Sequence, residues 1–130
     1  MAGRSIFILK IGLALTFLGH GVFALLGRTS WISYLMLLGF SHDTSEALLT
    51  LIGGLDILVA IGTLTLRTPF IFLWCTLWTL ATALIRPLAG ESWFEFIERG
   101  AFYGVSLFLY LNARTQKKLA EKPIVQPKTH

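Results

Sequence analysis

Six side chains in this 130-residue sequence stand where their surroundings make them costly: His20, Asp56, Arg86, Glu95, Glu98 and Arg99. Each lies in or against an apolar run. A charged group in hydrocarbon costs ~2.5–3.5 kcal/mol even on a lenient insertion scale, so such groups face a bundle interior, pair, or serve a ligand. A histidine, acids and arginines brought together could hold a polar head group by hydrogen bonds or pass a proton. Glu91, Glu95 and Glu98 follow at spacings of four and three, and Arg99 comes four after Glu95. On a helix these residues share one face, and Arg86 comes near Glu95 or Glu98. The same set could equally form an ion-pair network that only locks the fold.

Other chemistry finds no foothold. There is no hydrolytic triad, Walker loop or dinucleotide fingerprint, so no catalytic residue is assigned. A haem on His20 would need a second axial ligand, and the other histidines, His42 and His130, lie far along the chain. The Glu95-x-x-Glu98 spacing lacks the histidine of a di-iron site, and no metal ligand is assigned. One cysteine, Cys75, excludes an internal disulfide or a CxxC pair.

The elements that must position these groups are membrane helices. Apolar residues make up 55% of the chain and charged residues 14%, with a mean hydropathy of +0.70. A soluble domain of this size has too little interior for that much apolar surface. Residues 5–26, 47–66, 69–85 and 94–111 each approach the ~20 residues that cross ~30 Å of hydrocarbon. The fold expected is all-α: an integral-membrane four-helix transmembrane bundle over residues 1–112, with a basic cytoplasmic tail over residues 113–130. The first segment has the basic start of a signal peptide (Arg4, Lys10), but no small-x-small cleavage site follows, and it reads as a retained helix. Between helices one and two, Trp31, Tyr34, Leu35 and Leu38 recur at helical spacing in a run too short to span. That run reads as a short interfacial helix anchored by its aromatics. The tail beyond Gln116, with Pro123 and Pro127, is expected to be mobile. Gly100 and Gly104 form a GxxxG pair, and Gly12, Gly19, Gly21, Gly53, Gly54 and Gly62 supply further small surfaces for helix packing.

Charge sets the expected orientation. Arg4, Lys10, Arg67, Arg114, Lys117, Lys118, Lys122 and Lys128 fall on one side, while Arg28, Arg86 and Arg99 fall on the other. The cation-rich side should be cytoplasmic, with both termini inside. The net charge of +4 is therefore a topology signal and not a nucleic-acid footprint; the lipid bilayer is the expected partner. Helix rise then places Asp56 ~15 Å, Arg99 ~20 Å and His20 ~21 Å from the inner ends of their helices. All four helices bring a polar group to the outer half of the bundle.

Several stretches carry a resemblance: Phe17-Leu18-Gly19-His20-Gly21, the glycine-rich second helix, Arg86-Pro87, and Trp93-Phe94-Glu95-Phe96-Ile97-Glu98-Arg99. Over residues 5–112 the chain resembles the DoxX family of small four-helix bacterial membrane proteins. Relatives often carry a lysine where this chain has Ala24. The resemblance implies a multi-pass protein of the bacterial cytoplasmic membrane, an accessory subunit associated with quinone-linked redox proteins, and a quinone as the cofactor to test. A redox protein or a homo-oligomer would be its protein partner. It implies no reaction. A structural interaction protein and a small transporter or proton path remain open beside it.

Overall fold

The computed structural model describes residues 2–122, which are almost wholly helical. The helices are α1 (Ala2–Leu25), α2 (Thr29–Leu37), α3 (His42–Thr65), α4 (Pro69–Leu88), α5 (Trp93–Ile97) and α6 (Gly100–Glu121); no strand occurs among the described residues. Three of them, α1, α3 and α4, are long and apolar enough to cross a membrane. Their outward faces carry Leu15, Leu51, Leu58, Phe70 and Leu77, each more than half exposed. Such a surface suits hydrocarbon, not water.

The short interfacial helix expected before α3 is α2, and Gly39 (φ +101°) ends it by supplying a left-handed turn that a side chain would resist. It is held down by a small cluster of Ala24, Ile32 and Leu49. α3 begins at His42, five residues earlier than the apolar run indicates. Ser41 caps it, accepting a hydrogen bond from the Thr44 amide at 3.2 Å, and Asp43 complements the N-terminal dipole. At α4, Thr68 caps and Pro69 occupies the first turn. Pro87 does not stop α4 at residue 85: the Ala89 amide still reaches the Ile85 carbonyl, at 2.9 Å.

The fourth expected helix, 94–111, is not one helix. It breaks at Glu98 and Arg99 into α5 and α6. In an unbroken helix the Glu95 carbonyl would accept from the Arg99 amide. Here the Arg99 side chain takes that acceptor, Nη1 to O at 2.8 Å, while the Arg99 amide turns to the Phe96 carbonyl at 3.3 Å. The Tyr103 hydroxyl also donates to the Phe96 carbonyl, at 3.1 Å. Two side chains thus satisfy backbone groups that the break sets free. α6 then continues well past residue 111, so the segment after Gln116 is helical to Glu121 and not mobile coil. Arg, Gln, Lys, Leu, Ala and Glu favour helix, and the end of the apolar run does not end the helix. The apolar part of α6, residues 100–113, rises only ~21 Å. Pro123, Pro127, Lys128 and His130 lie outside the described residues.

α1 packs along α3, and α4 along α6; the two pairs touch each other less extensively. At one end lie the start of α1, the α3–α4 loop and the end of α6; this is the cationic end. Next to it a core of Leu13, Phe17, Val59, Phe72, Cys75 and Leu109 joins the pairs. Buried Thr63, Thr79 and Ser106 donate to carbonyls of their own helices, at 2.7, 2.6 and 2.7 Å.

Among the glycines, the closest helix approach is at Gly21 and Gly53. A Cβ on Gly21 would lie 2.9 Å from the Gly53 carbonyl oxygen, and one on Gly53 would lie 2.9 Å from the Gly21 carbonyl oxygen. The Gly100–Gly104 pair does no such work within the chain: a Cβ at Gly104 meets nothing within 4 Å, and one at Gly100 meets only the Tyr103 ring end. Gly21→Ala should therefore cost ~1–3 kcal/mol through overpacking against backbone that cannot step aside. Gly54→Ala, which enters open space, should be neutral or stabilising by up to ~1 kcal/mol. Thermal unfolding of both variants in one detergent checks the contrast.

Candidate functional site

Away from the cationic end, the two helix pairs flank a half-open pocket of about 300 Å³. That is the lower end of small-molecule sites, ~300–1,000 Å³. His20 comes from α1, Asp56 from α3, Arg86 from α4, and Arg99 from the α5–α6 break. Trp31 and Tyr34 of α2 close one side, and Trp78 of α4 forms the facing aromatic wall. Four of the six residues singled out from sequence thus line one space. Glu95 and Glu98 do not line it. They act on the arginines: Arg99 Nη1 lies 3.0 Å from Glu95 Oε2 and 2.9 Å from Glu98 Oε1, and Arg86 Nη1 lies 3.6 Å from Glu95 Oε2.

The hydrogen bonds of these side chains are unevenly spread. Every polar contact of Arg99 runs through Nη1, and both ion pairs of Arg86 run through its own Nη1. The remaining guanidinium N–H groups have no protein acceptor among the described residues. Both arginine side chains are more than four-fifths buried. His20 sits edge-on to Trp31 and Phe102, with ring centroids at 5.5 and 5.9 Å, and makes no protein hydrogen bond among the described residues. The pairing of His20 with Asp56 that their similar depth allows does not form. Asp56 is 3% exposed and lies beside Trp78, and its Oδ1 has no partner. A buried polar atom without a partner costs ~1–3 kcal/mol in proteins. Asp56 lines a pocket of mostly apolar surface, with Oδ1 itself closed off from the open space.

Two participants escape a reading by periodicity. Glu91 precedes α5 in a turn and so is not on the helical face with Glu95. It accepts from the Tyr34 hydroxyl at 2.7 Å and lies 4.0 Å from Arg86, tying α2 to the far side of the pocket. Burial, and then this bond to Glu91, push the Tyr34 hydroxyl pKa above its usual value, so it remains a donor throughout the neutral range. Trp78 is the other; its spacing within α4 looks like that of any core aromatic. Phe17, three residues before His20, is 2% exposed in the core, and Tyr103 is engaged at the helix break. Phe102 of α6 adjoins the site through its ring contact with His20.

Comparison with protein families, with curated proteins and with solved structures finds no match for this chain.

Proposed function

We propose that this chain is a multi-pass, DoxX-like protein of the bacterial cytoplasmic membrane that binds an amphipathic, quinone-like molecule in the pocket beneath α2. It acts as an accessory subunit beside quinone-linked redox proteins. In this reading α1, α3, α4 and the α5–α6 pair form a four-helix membrane bundle with both termini cytoplasmic. α6 crosses with help from the apolar turn of α5, since its own apolar part is short of a full span.

The observation that carries the reading is the pairing of an apolar pocket with unused hydrogen-bonding groups. The ring nitrogens of His20 and the free guanidinium N–H groups of Arg86 and Arg99 come together at one place, with the Asp56 carboxyl beside them. A ring head with carbonyl or hydroxyl groups would supply them, and Trp31, Tyr34 and Trp78 suit a flat ring. A bundle lock accounts for the Glu95 and Glu98 ion pairs but not for the pocket or for Asp56. A proton path from Asp56 would have to pass the apolar core of Phe17, Val59, Phe72 and Leu109. The buried hydroxyls of Thr63, Thr79 and Ser106 donate to carbonyls of their own helices and not to one another.

Purification in mild detergent, followed by mass spectrometry of extracted small molecules, tests the function. An isoprenoid quinone or a similar ring-headed amphiphile should co-purify in near-stoichiometric amount. Recovery of bulk phospholipid alone would count against the reading. Topology has its own check. With Cys75 replaced, single cysteines at Ser41 and Ser92 should react with an impermeant reagent from outside the inner membrane, and one at Thr115 only from the cytoplasm. Reaction of all three from one side would overturn the four-span arrangement.

A further inference from the structure

The opposite end of the bundle carries a second cleft, of about 420 Å³, that the pocket beneath α2 does not explain. Three cations from three separate elements line it: Lys10 from α1, Arg67 from the α3–α4 loop, and Lys117 from α6. None of them has an ion pair among the described residues. The acids sit elsewhere: Asp43, Glu46, Glu91, Glu95 and Glu98 all lie towards the other end, and only Glu121 shares the cationic end. Asn112 and Gln116 add amide groups to the lining, and buried Phe72 forms part of the floor. Lys10 Nζ stands 5.5 Å from the Phe72 ring centroid, so its position is set by packing as well as by charge.

The cleft exists because α6 does not end with its apolar run. The turns carrying Gln116 and Lys117 continue past the apolar run and line the cleft together with Arg67 of the α3–α4 loop. Three positive groups held around one hollow repel one another unless an anion sits among them. We propose that this cleft binds a phosphate group, presented by an anionic phospholipid whose acyl chains lie along the exposed apolar faces of the helices. The chemistry recognised is one phosphate with three cations and two amides around it. A lipid headgroup brings that phosphate to the membrane surface, where each nearby Lys or Arg contributes ~1 kcal/mol, or about fivefold in affinity. Arg67 is suited to bidentate phosphate recognition, while the lysines act as point charges.

The test uses the full chain in neutral detergent with three probes: phosphatidylglycerol, phosphatidylcholine and inorganic phosphate. Native mass spectrometry counts bound lipid, and the thermal midpoint reports stabilisation. Phosphatidylglycerol should bind in one tight copy and raise the midpoint; phosphatidylcholine should do neither. The variant Lys10→Gln, Arg67→Gln, Lys117→Gln should weaken that copy by about a hundredfold. Lys117→Gln alone, on an exposed turn that folding does not need, should weaken it by about fivefold. A control that removes equal charge outside the cleft, Arg114→Gln, Lys118→Gln, Lys122→Gln, should leave it in place. If inorganic phosphate protects as well as the lipid does, the cleft stands as a phosphate site and its ligand is a soluble phosphate compound. Equal losses in both triple variants would reduce the effect to a diffuse basic surface and overturn the site, as would equal binding of the two lipids.

Discussion

Arg99→Leu should lower the stability of the protein in detergent by about 1.5–3 kcal/mol, the worth of hydrogen bonds from a charged group, because the Glu95 carboxylate is 38% exposed and keeps Arg86 at 3.6 Å. One guanidinium nitrogen of Arg99 serves three acceptors: the Glu95 carbonyl, the Glu95 carboxylate and the Glu98 carboxylate. Its loss leaves an excess of negative charge under α2 and frees the carbonyl at the α5–α6 break. Glu98→Gln offers the internal contrast. Its side chain is 63% exposed, and a surface pair of that kind contributes ~0–1 kcal/mol. Unfolding curves for the two variants should therefore separate clearly. An unchanged midpoint for Arg99→Leu would mean that the guanidinium points to headgroups or water and that the break is held by something else.

Asp56→Asn should do the reverse and stabilise the unliganded protein, by ~1–3 kcal/mol, while removing ligand-induced stabilisation. The amide keeps the size and shape of the side chain and carries no charge, so the substitution removes the cost of holding a carboxylate 3% exposed in a largely apolar surrounding. A residue kept for the fold loses stability when replaced; one kept for a ligand gives it back. The measurement is a pair of thermal curves for each protein, with and without a short-chain quinone. A less stable Asp56→Asn variant would assign Asp56 to the packing of the bundle.

Much of this arrangement is legible in the amino-acid sequence, because bilayer physics is strict about polar groups. His20, Asp56, Arg86 and Arg99 stand out in apolar runs, and helix rise alone brings them to similar depth. Rotation about each helix axis is less legible. Phe17 and Trp78 both look like wall residues or core residues from spacing, and only the packing of α1 on α3 and of α4 on α6 decides between them. The close approach at Gly21 and Gly53, as against open space at Gly104, depends on the same rotations. The break after Ile97 leaves no trace in periodicity, since it rests on a side chain replacing a backbone donor at Glu95. The extension of α6 is hidden for a different reason: its last turns are helical by propensity while its apolar signal has already ended.

Occupancy of the space beneath α2 by a ring-headed amphiphile can be read directly, because Trp31 and Trp78 line that space. The measurement is titration with a short-chain ubiquinone or menaquinone, followed by tryptophan fluorescence and by native mass spectrometry. The wild-type protein should show saturable quenching and one bound copy. A His20→Ala, Arg99→Ala double variant should show neither, and His20→Leu, which forfeits no protein hydrogen bond, should bind more weakly while remaining folded. Equal binding by all three proteins, or quenching that never saturates, would contradict the site.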